Sequence, residues 1–253
     1  MIEQRAFERP KALSFMTAPP VMSQTSQRRF RAGRNQPYRD AEPYKSSIYY
    51  WWWAYLKRSA AYQKTCHQSG QGKLGWLYAD FGDVFESDFL TWWNKHQALF
   101  AEQASKGNPN HTLLYRIDPC RPLSQITEEI KALHMQAHAI MPVVPPKQIS
   151  TAKYPIYTNV SAHTLYKVLN VWDLRCVHPD ASAYELGTLA GFKANILKPP
   201  KYGETRTRAA ITTELHNKQA RIIVANKANR YLRVAGQYID NVARGEFPKA
   251  TRR

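Results

Sequence analysis

Six aromatic side chains fall within nine residues from Ile48 to Leu56, among them three consecutive tryptophans, Trp51, Trp52 and Trp53. Aromatic side chains bury about 150–250 Å² each, so a run of this kind has to sit inside a packed body. The positions Ile48, Trp51, Trp52, Tyr55, Ser59 and Tyr62 recur every three to four residues, which predicts one helix with a heavily aromatic face, ending near Gly70 and Gly72. The run is nine residues long, against the roughly 20 needed to cross a bilayer.

A second aromatic helix is predicted beyond a turn around Gly82. Ser87 is its candidate N-cap, Asp88 sits in its first turn, and Phe89, Trp92, Trp93, His96, Leu99 and Phe100 form its buried side. The two aromatic faces are expected to pack on each other. Residues 112–117 alternate like a minor β element closed by Pro119 and Pro122. Ser124 then caps a helix carrying Ile126, Ile130, Leu133 and Ala137, which Pro142, Pro145 and Pro146 stop. The polar, proline-rich stretch to about Thr158 is the candidate boundary between two halves.

In the second half, Leu165, Val168, Leu169, Trp172 and Cys176 mark a helix ending before His178 and Pro179. Asp180 is the candidate cap of the next, Ala181 to Ala190. From Glu204 to Ala243 neither proline nor any clear break interrupts the chain. Its apolar positions Ile211, Leu215, Ile222, Ala225, Ala228, Leu232, Ala235, Ile239 and Val242 follow a three-and-four rhythm. One long helix, or two nearly collinear ones, is predicted there. The fold class is therefore mainly α: a helical body with an aromatic core, the minor β element, and a long basic C-terminal helix. The organisation reads as a flexible basic arm at 1–44, an aromatic-rich helical domain at 45–141, a helical domain at 159–247 and a tail at 248–253.

Charge supplies the functional reading. The net charge is +17, and the cations gather at the two ends: nine Lys/Arg against four Asp/Glu in residues 1–45, five against five in 46–104, and twelve against four in 201–253. A basic arm and a basic tail around a neutral body draw polyanions. The expected binding residues are Arg206, Arg208, Lys218, Lys227, Arg230, Arg233 and Arg244 on or near the long helix, with Arg28, Arg29, Arg31 and Arg34 as a clamp. Arg221 projects onto the apolar stripe, so either the helix bends there or the side chain reaches outward. Such a ridge neutralises phosphates without reading bases. Tyr202, Tyr231 and Tyr238 lie among the cations, and packing is the expected role of Tyr231 and Tyr238.

Three widely spaced cysteines, Cys66, Cys120 and Cys176, argue for a reducing, cytoplasmic setting, and residues 1–20 do not read as a secretory signal. The order of elements between Ala162 and Leu197 resembles a helix-turn-helix, but a reading helix begun near Ala194 would be cut off by Pro199 and Pro200, and Ala181 to Ala190 offers no base-reading side chain. The acidic cluster Asp80, Asp83, Glu86 and Asp88 would suit a metal-dependent nuclease if its carboxylates converged; capping and ion pairing are the expected roles. His134 and His138 have two-ligand spacing without a third ligand. No phosphate loop, nucleophile elbow or CxxC pair is present in the sequence, and no cofactor is expected.

The stretch Tyr78-Ala-Asp-Phe-Gly-Asp-Val84 followed by Trp92-Trp93 resembles uncharacterised proteins of bacterial mobile elements over less than a third of the chain. That resemblance implies a bacterial or phage setting and attaches to no activity. The expected function is nucleic-acid binding, DNA ahead of RNA, by a regulator or accessory factor that is not an enzyme. The alternatives are a structural subunit of a ribonucleoprotein and the metal-dependent nuclease. A protein partner or self-association through the long helix is a further expectation, with no membrane involved.

Overall fold

The computed structural model describes residues 13–21, 36–102, 120–140, 150–198 and 208–250. Arg28, Arg29, Arg31, Arg34, Tyr202 and Arg206 lie outside these residues, as does the expected β element at 112–117. The described chain is mainly helical, and its one β interaction is a parallel bridge between Ile156 and Phe247.

The predicted first helix is two: α1, Ile48–Leu56, and α2, Ala60–His67. Ser59 divides them. Its backbone is extended and its hydroxyl accepts from the Tyr62 N–H at 3.4 Å, so it serves as the N-cap of α2. The break leaves the aromatic period intact, with Tyr62 fully buried alongside Trp52 and Tyr55. The segment expected to be a simple turn holds α3, Gly75–Phe81, stopped at Gly82, whose φ of 62° favours glycine. The Tyr62 hydroxyl donates to the Gly82 carbonyl at 2.7 Å and ties the two helices together. Helix α4, Phe89–His96, is capped by Asp88 rather than Ser87, because the Asp88 carboxylate accepts from the N–H groups of Leu90 and Thr91 at 2.8 and 3.1 Å.

The aromatic faces meet as expected. Tyr49 and Trp93 rings lie 4.8 Å apart, and Trp52 presents its faces and edges to Phe81, Phe100, Tyr154 and Phe247. Two buried indoles find acceptors, Trp51 at the Lys45 carbonyl (2.8 Å) and Trp92 at the Phe81 carbonyl (2.9 Å). Part of the expected arm belongs to this body. Phe15 packs on Tyr49 and Trp93, the Glu102 N–H donates to the Ser14 carbonyl at 2.7 Å, and the Ser47 hydroxyl reaches the Ala18 carbonyl at 3.4 Å. A single aromatic, Phe15, in a short segment broken by Pro19 and Pro20 sustains no helical period, which is why the docking is invisible to a periodicity argument.

Helix α5, Leu123–Ile140, begins one residue ahead of its expected cap, Ser124. Of its apolar stripe Ile126 is buried, whereas Ile130 and Leu133 are exposed. Helix α6, Ala162–Val177, follows Ser161. Helix α7, Ala183–Leu189, starts with a capping box between Ser182 and Glu185, which displaces Asp180 from the role. The long helix, α8, runs from Arg208 to Val242, 35 residues or about 52 Å. Both α6 and α7 pack against it. Gly187 makes the close approach of α7 feasible, since a Cβ there would come within 2.5 Å of the Val224 side chain.

The stretches on either side of the proline-rich segment share one core: Leu165, Val168, Leu169, Ala235, Tyr238, Ile239, Val242 and Phe247 pack with the aromatic residues of α1 to α4. The expected apolar stripe of α8 divides into two. Its buried face runs through Ala220, Val224, Ala228, Ala235, Tyr238, Ile239 and Val242, whereas Ile211, Leu215 and Ile222 are exposed. A strict three-and-four rhythm has a period of 3.5, and against a straight α-helix it drifts by about 20° per heptad. Over four heptads the drift carries the stripe onto a different side of the helix.

Candidate nucleic-acid interface

Packing against α6 and α7 fixes which side of α8 faces outward. At about 100° per residue, Asn226, Asn229, Arg230 and Arg233 occupy one arc of about 100°, and all four are exposed. Arg244, also exposed, lies in the turn that follows the last residue of α8. The carboxylate on this arc is Asp240. Among the described residues the ion pairs use Arg39, Lys45, Arg58, Arg121, Lys153 and Lys249, so Lys218, Arg221, Lys227, Arg230, Arg233 and Arg244 meet no carboxylate there.

The expected cations are thus only partly gathered. Arg230 and Arg233 share the outer arc, and Arg244 stands exposed in the turn after α8. Lys218 is exposed beside the open apolar residues Leu215 and Ile222. Lys227 turns toward the α7 side, its ammonium 4.5 Å from the centre of the Phe192 ring. Arg221 sits exposed with its guanidinium 5.8 Å from the Tyr184 ring, so the side chain reaches outward over an aromatic surface. Arg208 opens α8, and its side chain lies outside the described residues. Arg230 lies 5.6 Å from the Tyr231 ring, a contact that steadies the guanidinium and leaves its outer donors to solvent. Asn226 and Asn229 add nothing to a count of charge; the four-residue spacing from Asn226 to Arg230 and from Asn229 to Arg233 was the available signal.

Tyr238 is buried against Tyr55 and Phe247, and half-buried Tyr231 stands edge-on to Phe192 at 5.2 Å, so both pack as expected. The helix-turn-helix comparison fails at its second helix. Residues 192–198 form no helix and run back along the start of α8. There the Asn217 side chain binds both backbone groups of Leu197, at 2.8 and 3.0 Å, and His216 Nε2 meets the Asn195 carbonyl at 2.9 Å.

The acidic cluster is dispersed into structural roles. Asp80 accepts from Lys153 at 2.7 Å and from the Tyr154 hydroxyl, Asp83 accepts from the Phe85 N–H at 2.8 Å, and Asp88 caps α4. Hydrogen bonds from the Thr91 hydroxyl and N–H hold Asp88 below the usual carboxylate range. Among the described residues no three His, Cys, Asp or Glu side chains gather to hold a metal, and no helix is long and apolar enough to cross a membrane. Cys66 is buried, whereas Cys120 and Cys176 are exposed.

Comparison with protein-family models, with curated proteins and with solved structures returns no match.

Proposed function

We propose that the protein binds nucleic acid, duplex DNA ahead of RNA, as a cytoplasmic regulator or accessory factor without catalytic activity of its own. The observation that carries this reading is the outer arc of α8, where Arg230 and Arg233 stand exposed, with Arg244 exposed in the turn beyond it, and all three meet no carboxylate among the described residues. A guanidinium presents a planar fork of donors that matches phosphate oxygens and is weakly hydrated, so it binds a phosphate polymer where an ion-paired side chain would not. Arg28, Arg29, Arg31 and Arg34 supply further cations in the same chain and enter the proposal as a clamp, with Arg206 added to the cations of the C-terminal segment.

Titrating mixed-sequence duplex DNA, single-stranded DNA and structured RNA into the full chain at two salt concentrations tests the reading. Duplex binding that weakens with salt and is lost in Arg230→Glu with Arg233→Glu supports it. Duplex affinity unchanged by the double reversal at low salt refutes it. The exposed Ile211, Leu215 and Ile222 favour a second reading, a ribonucleoprotein subunit whose apolar stripe meets a neighbour; a strong preference for structured RNA in the same titration selects it.

A further inference from the structure

A small hollow of about 140 Å³ opens between α1 and α6, remote in sequence from the arginine arc of α8. Its volume is well under the roughly 300–1,000 Å³ of pockets for drug-sized ligands, so it admits a single ring system. The floor includes buried Trp51, and half-buried Tyr38, Tyr50 and Tyr166 stand around it. Rings of this kind stack on the faces of unpaired bases. The wall is held in place before any ligand arrives: Tyr38 and Tyr166 rings lie 4.8 Å apart, and the Tyr38 hydroxyl accepts from Lys45 at 2.7 Å.

The polar side of the hollow is set with equal firmness. Arg58 and Asp173 meet through two parallel bonds, Nε to Oδ1 at 3.1 Å and Nη2 to Oδ2 at 2.8 Å, while Arg58 Nη1 donates to the Ala54 carbonyl at 3.0 Å. The pair is thereby fixed in plane, with lone pairs left on Asp173 and two N–H groups of Arg58 outside these three bonds. Asn170 lines the same hollow, and its amide makes no hydrogen bond to any other described residue. A side-chain amide places a donor beside an acceptor, the pattern that reads the adjacent amino group and ring nitrogen of adenine. The neighbouring carboxylate favours a base that presents an amino group over one that presents a carbonyl at the same place.

We propose that this hollow receives one unpaired nucleobase carrying an exocyclic amino group, adenine or cytosine, stacked against the tyrosines and read by Asn170. The proposal rests on the nucleic-acid reading of α8 and adds a second contact, which responds to unpaired bases where the arginine arc responds to phosphates. Asn170 is part-exposed and its replacement leaves the Arg58–Asp173 pair in place, so Asn170→Ala is a fair probe; a melting curve matching wild type verifies that the variant folds.

The full chain is titrated with a fully paired duplex and with the same duplex carrying one bulged adenine or one bulged thymine. Wild type is expected to bind the bulged adenine about tenfold more tightly than the paired duplex, with the bulged thymine gaining less. Asn170→Ala is expected to lose that advantage and keep its affinity for the paired duplex. Equal affinity of wild type for all three, or an advantage that survives Asn170→Ala, overturns the nucleobase site while leaving the α8 reading intact. If no duplex binds, the α8 reading falls, and adenosine and cytidine 5′-monophosphates followed by ligand-observed NMR decide the hollow alone: saturation transfer lost in Asn170→Ala upholds it, and no transfer to wild type removes it.

Discussion

Tyr55 donates its hydroxyl to the carbonyl of Leu165 at 3.0 Å, a fully buried bond between residues 110 positions apart. It joins α1 to α6 inside the core that α8 closes. The chain therefore unfolds as one unit over the described body, and thermal unfolding followed by far-UV and near-UV circular dichroism is expected to give coincident transitions. Tyr55→Phe removes the bond with little change of shape and is expected to cost about 1 kcal/mol, measured by urea denaturation. Two separated transitions in the wild type would contradict the shared core.

Phe247 follows α8 and is wholly buried, its ring 5.2 Å from Tyr55 and 5.7 Å from both Trp52 and Tyr238. Phe247→Ala opens a cavity where the last turn of α8 meets the aromatic core. The expected loss is about 3–5 kcal/mol in the same denaturation experiment, far more than a tail residue outside the core would give.

Glu102 links three segments: its N–H donates to Ser14, and its carboxylate accepts from the Ser150 hydroxyl at 2.6 Å and from the Thr151 N–H and hydroxyl at 2.6 and 2.8 Å. Partial burial pushes its pKa up, but the hydrogen bonds from Ser150 and Thr151 outweigh it and leave the pKa below the ordinary 4.5. The unfolded chain then takes up the proton first as pH falls. The stabilisation is present in full above about 4.5 and disappears as pH drops through the lower folded value. The protection factor of the Thr151 amide against hydrogen exchange, taken relative to its intrinsic rate at each pH, is expected to fall across that window in wild type and to be low already at neutral pH in Glu102→Gln.

Burial, with the neighbouring Asp83 carboxylate second, pushes the Cys66 thiol up to about 11, and Cys66 is 7% exposed, whereas Cys176 is open to solvent. A thiol reagent at pH 8 is expected to modify Cys176 in the native protein and Cys66 only after denaturation. Peptide mapping of the labelled protein checks this, and native labelling of Cys66 at a rate close to that of Cys176 would contradict the packing of α2.

Much of the helical body was legible because it depends on near neighbours: the aromatic period from Ile48 to Tyr62, the run of α8 without a breaker, and the aromatic face of α4. What escaped depends on partners far away in the chain. Ser59 splits a continuous aromatic pattern because its hydroxyl satisfies the Tyr62 N–H in the first turn of α2, an alternative that periodicity does not weigh. The open side of α8 was misplaced because a small phase error accumulates over 35 residues. On the candidate interface, Arg230, Arg233 and Arg244 were found by charge, while Asn226 and Asn229 were passed over because an amide adds nothing to a charge count. The hollow beside Asn170 is assembled by Arg58 and Asp173, 115 positions apart, and no local pattern announces it.

The arginine arc of α8 is the central claim, and the salt dependence of duplex DNA binding tests it most directly. Each guanidinium that neutralises a phosphate contributes about 0.9 to the slope of log affinity against log salt on duplex DNA. Replacing both Arg230 and Arg233 with Ala is expected to lower that slope by about two while the melting temperature stays unchanged; a slope equal to that of wild type would contradict the account.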